Sequence, residues 1–113
     1  LPQRVLQEGG YKKKGKSEEE FEAILDGCRA LEAAGVFAIV LESVVADTAQ
    51  RLTGALTVPT IGIGCGEKTC DGEVAVITDL VGAYPWFVPP FAKPQANVSA
   101  DVSAAVRWYI EQA

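Results

Sequence analysis

Apolar and polar positions change their period several times along this chain, and each change marks an element. Phe21, Ile24, Leu25, Cys28 and Leu31 recur at helical spacing behind Ser17 and the acids Glu18, Glu19 and Glu20. The Ser17 hydroxyl can cap a free amide, Glu20 completes a capping box, and the acids suit the positive end of the helix dipole. Gly35 supplies a stop. Six apolar residues in a row, 36–41, then run into Glu42. A continuous apolar run after a helix predicts a strand buried on both faces, as in a parallel sheet. Residues 47–56 predict a second helix with Ala49, Leu52 and Leu56 inward. Residues 60–64 predict a short strand, and residues 74–77 a third strand ending near Asp79. Pro85, Pro89, Pro90 and Pro94 make residues 83–97 irregular. A last helix starting near Ser99 sets Val98, Val102, Ala105, Val106 and Tyr109 on one stripe. Strands alternating with helices predict a parallel α/β arrangement. Three strands are too few to close a barrel, so the fold reads as part of a barrel or as a small open sheet.

Composition narrows the function classes. With 113 residues, 49% hydrophobic and 22% charged, the chain has the balance of one small soluble domain. A net charge of −5 argues against nucleic acid as a partner, since phosphate binding needs a basic surface. No apolar run approaches the roughly 20 residues of a membrane span, so no membrane partner is expected. No charged stretch followed by an apolar one opens the chain as a signal peptide would. Three cysteines without a close-paired spacing read as reduced thiols of an intracellular protein. The absence of histidine removes the usual base and metal ligand. The absence of methionine makes the chain read as a piece of a longer protein. Residues 1–16 read as a loop broken by Gly9, Gly10 and Gly15. Lys12, Lys13, Lys14 and Lys16 within it read as a solvated face beside an acidic helix start, or else as an anion grip on a substrate tail.

In parallel α/β folds chemistry sits at the carboxyl ends of strands, which singles out Glu42. An acid there is costly to bury unless something uses or satisfies it. Its competing reading is a structural ion pair. Gly62-Ile63-Gly64-Cys65-Gly66 lacks the spacing and the following helix of a dinucleotide fingerprint. Gly64 and Gly66 read instead as points where a ligand approaches the backbone closely, or as plain turn glycines. Cys65 and Cys70 form one pair where zinc needs four ligands, so they read as core or loop thiols. Asp71, Glu73 and Asp79 sit near loop or strand ends, and Asp79 suits either a pocket or an N-cap.

These residues also carry a family resemblance. Gly9-Gly10-Tyr11-Lys12 with Gly15-Lys16, then Ala33-Ala34-Gly35 and Ile39-Val40-Leu41-Glu42, resemble segments of the ketopantoate hydroxymethyltransferases. Pro59-Thr60-Ile61-Gly62-Ile63-Gly64 with Gly66 and Asp71-Gly72, and then Pro85, Phe87-Val88 and Phe91-Ala92, continue the match in order. The resemblance implies the C-terminal part of a single (β/α)8 TIM barrel of the phosphoenolpyruvate/pyruvate type over residues 1–113. It implies transfer of a hydroxymethyl group from 5,10-methylenetetrahydrofolate to 3-methyl-2-oxobutanoate, giving 2-dehydropantoate in pantothenate biosynthesis. It further implies a magnesium ion whose ligands lie outside this chain, a homo-oligomer, and a cytoplasmic location, or a mitochondrial one in a eukaryote. Glu42 matches the family's proton acceptor. A dry strand end would make a carboxylate there a better base. The chain departs from the family pattern at Cys65, Thr78 and Pro89-Pro90. The competing expectations are a carbon–carbon lyase acting on a 2-oxo acid in the same barrel type, and an inactive fragment of the transferase.

Overall fold

The computed structural model describes Gly9 and residues 12–113. Of the loop expected over residues 1–16, residues 1–8 with Gly10 and Tyr11 of the resemblance lie outside the described residues. The chain divides into two compact units, Leu1–Val74 and Ala75–Ala113.

In the first unit, helix α1 spans Glu18–Ala33 and starts at Ser17, whose Oγ accepts from the Glu20 N–H at 3.2 Å. The Glu20 carboxylate does not return to Ser17 as a capping box predicts. It takes the Lys16 N–H, one residue earlier, at 2.7 Å. Gly35 follows the helix with φ +85°, a conformation that favours glycine. Phe21, Leu25 and Cys28 are buried as expected, whereas Leu31 is exposed. Strand β1 covers Ile39–Glu42, helix α2 Ala46–Ala55, strand β2 Thr60–Ile63 and strand β3 Gly72–Glu73.

The three strands form one parallel sheet in the order β1-β2-β3, with Ile39 beside Thr60, Glu42 beside Ile63, and Ile61 beside Gly72. The parallel α/β reading therefore stands. The closed eight-stranded barrel is not formed by these three strands.

Ile39 and Leu41 of β1 enter a core with Phe21, Leu25, Cys28, Ala49 and Leu52, so α1 and α2 cover one face of the sheet. The other face is open. Val40 is 61% exposed and Glu42 is exposed as well. The expected burial of β1 on both faces is thus corrected to burial on one, because both helices pack on the same side. Phe37, 91% exposed, precedes the strand rather than joining it. Leu52 is fully buried, which contributes about 1.5–3 kcal/mol.

The third strand lies earlier than expected. It pairs through Gly72 and Glu73, and the Val74 N–H adds a last bond to the Gly62 carbonyl at 3.0 Å. Residues 74–76 of the segment expected to form it take no regular structure, and Ile77 opens a short helix in the second unit, α3, Ile77–Leu80. The Asp79 and Leu80 N–H groups both donate to the Val76 carbonyl at 3.0 Å. Asp79 accordingly sits in a first helical turn, neither at a strand end nor at an N-cap. Beyond it the proline-rich segment is irregular, and its far end is tied back to its start. The N–H groups of Gln95, Val98 and Ser99 donate to the carbonyls of Leu80, Val81 and Gly82 at 2.7–3.0 Å. Helix α4, Val98–Gln112, begins at Asn97, whose side chain accepts from the Ala100 N–H. Its expected apolar stripe has no buried member.

Candidate active site at the carboxyl end of the sheet

The carboxyl ends of β1 and β2 lie side by side, because Glu42 pairs with Ile63. Glu42 is the last residue of β1, and alternation puts its side chain on the face opposite Ile39 and Leu41. That face carries no helix from the first unit. Among the described residues the Glu42 carboxylate makes no hydrogen bond or ion pair. A structural ion pair is therefore absent there, but so is the dry setting expected of the strand end: the side chain is exposed.

Ser43, directly after Glu42, has φ +55°, uncommon for a residue with a side chain. Two hydrogen bonds hold it so. Its N–H donates to the Ile63 carbonyl at 2.9 Å, and its carbonyl accepts from the Lys14 N–H at 2.9 Å. The Val45 N–H then donates to the Lys14 carbonyl, also at 2.9 Å, which makes Lys14 a parallel bridge partner of Val44. The lysine-bearing loop is thereby fastened to the outer edge of β1 at its carboxyl end. Nothing in the sequence signalled that pairing. Thr48 was also missed, although it stands four residues before Leu52 on the inward face of α2, which is a readable signal.

The loop after β2 turns on Gly64, φ +67°, Gly66, φ +105°, and Lys68, φ +57°. A Cβ at Gly66 would lie 3.0 Å from the Ala46 Cβ. Backbone geometry alone thus requires glycine at Gly66, whatever ligand approaches. Cys65 is buried and donates its thiol to the Leu41 carbonyl at 3.0 Å. Burial pushes this thiol's pKa up. Cys28 is raised for the same reason, with the Glu32 charge adding to it. Both read as packing thiols.

Asp71 and Glu73 are structural here. One oxygen of Asp71 accepts from the Thr60 N–H at 2.9 Å and the Thr60 hydroxyl at 3.2 Å, and Glu73 accepts from the Lys68 N–H at 2.8 Å. Among the described residues no three or more His, Cys, Asp or Glu side chains are grouped to hold a metal ion. No described helix is long and apolar enough to cross a membrane.

An open parallel sheet with a lone carboxylate at a strand's carboxyl end is a frame shared by many α/β enzymes. Comparison with known proteins narrows it. The pattern defining the ketopantoate hydroxymethyltransferases matches residues 1–113, so the chain belongs to that family. It is 46% identical over 111 residues to the 3-methyl-2-oxobutanoate hydroxymethyltransferase of Syntrophus aciditrophicus, covering 98% of this chain and 40% of that protein. The enzyme of the same name from Moorella thermoacetica is 49% identical over 98% of this chain and 41% of its own length. That from Pseudothermotoga lettingae is 48% identical over 96% and 41%. The chain thus spans about two-fifths of the length of the curated relatives it matches.

Proposed function

We propose that this chain supplies the proton-accepting side of an enzyme that moves a hydroxymethyl group from 5,10-methylenetetrahydrofolate to 3-methyl-2-oxobutanoate, forming 2-dehydropantoate. Family membership supports the reaction class. The observation that carries Glu42 as the base is its position, unpartnered among the described residues, at the carboxyl end of β1 on the face the helices leave open. A carboxylate so placed can take the proton from the carbon beside the keto group. The one-carbon unit is bonded to two folate nitrogens. One of these bonds breaks as the enolate bonds to the carbon, and the other breaks as water supplies the hydroxyl oxygen. The two nitrogens take up the proton removed from the oxo acid and one from the water.

The magnesium ion that the resemblance implies finds no ligand set among the described residues, and no step here runs through it. On this reading the rest of a (β/α)8 barrel covers the open face and removes water from around Glu42, where a carboxylate gains basicity by desolvation. The 113-residue chain alone, with that face exposed, is expected to show no turnover even with magnesium supplied.

The test is Glu42→Gln in the complete protein. Turnover should fall by about 10²–10⁴, the usual contribution of a positioned base, while binding of 3-methyl-2-oxobutanoate persists. Near-normal turnover rejects the assignment.

A further inference from the structure

The acidic chain concentrates positive charge in one place. Four of its ten lysines and arginines, Lys12, Lys13, Lys14 and Lys16, fall within five consecutive residues. Lys13 and Lys14 lie between the residues that carry the family resemblance. The structure fixes where this charge goes. Lys14 is hydrogen-bonded through both its N–H and its carbonyl to the chain just after Glu42, at 2.9 Å each. Gly15 is buried and its carbonyl accepts from the Thr48 hydroxyl at 2.7 Å. The Lys16 N–H is held by Glu20. A floppy surface run would not be tied down at successive residues.

The contacts made by the neighbouring acids leave the charges of Lys12, Lys13 and Lys16 available. Glu18 is engaged by the Arg51 guanidinium through two bonds of 2.6 and 2.8 Å, and Glu20 takes a backbone amide rather than an ammonium group. Lys12, Lys13 and Lys16 are exposed, and their ammonium groups form no ion pair among the described residues.

We propose that Lys12, Lys13 and Lys16, on the loop that Lys14 fastens beside Glu42, form an anion subsite that binds the γ-linked polyglutamate tail of the folate co-substrate. This rests on the transfer reaction proposed above. Several separate ammonium groups within one short segment suit a chain bearing one carboxylate per residue better than a single compact anion does. The contacts are solvent-exposed, so each is weak, salt-sensitive and roughly additive. Their sum favours longer tails, and long-range attraction speeds capture of a polyanion.

The experiment compares monoglutamyl with pentaglutamyl 5,10-methylenetetrahydrofolate in the complete protein. At low ionic strength the pentaglutamyl form should show a KM lower by about five- to tenfold, the scale of a few exposed charge pairs. That ratio should shrink as salt rises and collapse towards one in Lys12→Ala/Lys13→Ala. It should be restored in Lys12→Arg/Lys13→Arg, which keeps the charge. Equal KM values for the two folates in the unaltered protein overturn the proposal. So does a change in the double alanine variant confined to apparent affinity for the oxo acid, which would make the lysines a grip on that substrate instead. If neither folate is turned over, the transfer reading fails and equilibrium binding of mono- and pentaglutamyl tetrahydrofolate decides the subsite. A pentaglutamyl preference lost in the double alanine variant supports it, and no preference overturns it.

Discussion

Gly15 and Thr48 interlock. The Thr48 hydroxyl donates to the Gly15 carbonyl at 2.7 Å, and a Cβ added to Gly15 would fall 2.6 Å from the Thr48 Cγ2. Gly15 also has φ +79°, where a side chain is strained whatever the space. One contact thus fastens the lysine loop to α2, the helix that follows the candidate base. Gly15→Ala should destabilise the protein by about 3 kcal/mol, combining left-handed strain with overpacking. Thr48→Val keeps the shape but leaves a buried carbonyl without its donor, which should cost about 1–3 kcal/mol. Urea unfolding of each variant measures both. A Gly15→Ala variant as stable as the parent would show that the loop is not held this way.

Gly62 makes room for two thiols on the helix-covered side of β2. A Cβ there would lie 2.9 Å from the Cys70 Sγ, 3.4 Å from the Cys70 Cβ and 3.6 Å from the Cys65 Cβ. Gly62→Ala should therefore cost about 1–3 kcal/mol by overpacking. Removing the Cys70 sulfur relieves the tightest of these contacts. Gly62→Ala combined with Cys70→Ala should then be less destabilised than the two single losses added together. Strict additivity in chemical unfolding would refute the steric account.

Helices α1, α2 and α4 and the order of the first two strands were legible because their signals are local. Ser17 with the acids after it marks the start of α1, and Ala49 with Leu52 marks the inner face of α2. The 36–41 run misled because a continuous apolar stretch says that a strand is apolar on both faces, not what covers each one. Here Ile39 and Leu41 meet the helices, while Val40 is left open in this chain. The 74–77 run misled for a different reason. Its apolar residues suit a strand, but sheet pairing ends with the Val74 N–H, and the next residues close a helical turn on the Val76 carbonyl. The position of Glu42 at a strand end could be read from the sequence. The clamp on Ser43 could not, because it depends on Lys14 and Ile63, which are distant in sequence.

Glu32 links the end of α1 to the turn before β2. Its Oε1 accepts from the Thr57 N–H at 2.6 Å, the Thr57 hydroxyl at 2.9 Å and the Val58 N–H at 3.0 Å. The Thr57 amide, then the Val58 amide and the Thr57 hydroxyl, hold the carboxyl below its ordinary 4.5, with Arg29 adding to this. A carboxylate with a lowered folded value contributes stability that is complete above the unfolded value and lost as the pH falls through the folded one. All three bonds go to one oxygen, so Glu32→Gln can keep them while removing the charge. The variant should lose part of the parent's decline in thermal midpoint on acidification from neutral pH. Identical acid profiles for parent and variant would exclude Glu32 as a contributor.

Ser43 offers a test of whether strain beside the candidate base is maintained by its two clamps. At φ +55° a side chain costs about 1–2 kcal/mol relative to glycine. Ser43→Gly should therefore leave stability unchanged or raise it by up to about 1 kcal/mol, strain relief being offset partly by glycine's greater freedom in the unfolded chain. Ser43→Val should be destabilised by about 2 kcal/mol or more, since branching at Cβ makes this backbone region a true outlier. In the complete protein, Ser43→Gly should lower turnover without a matching change in oxo acid binding, because freeing this hinge lets Glu42 leave its working orientation. A glycine variant with both parental stability and parental turnover would show that the conformation of Ser43 is incidental to the acid that precedes it.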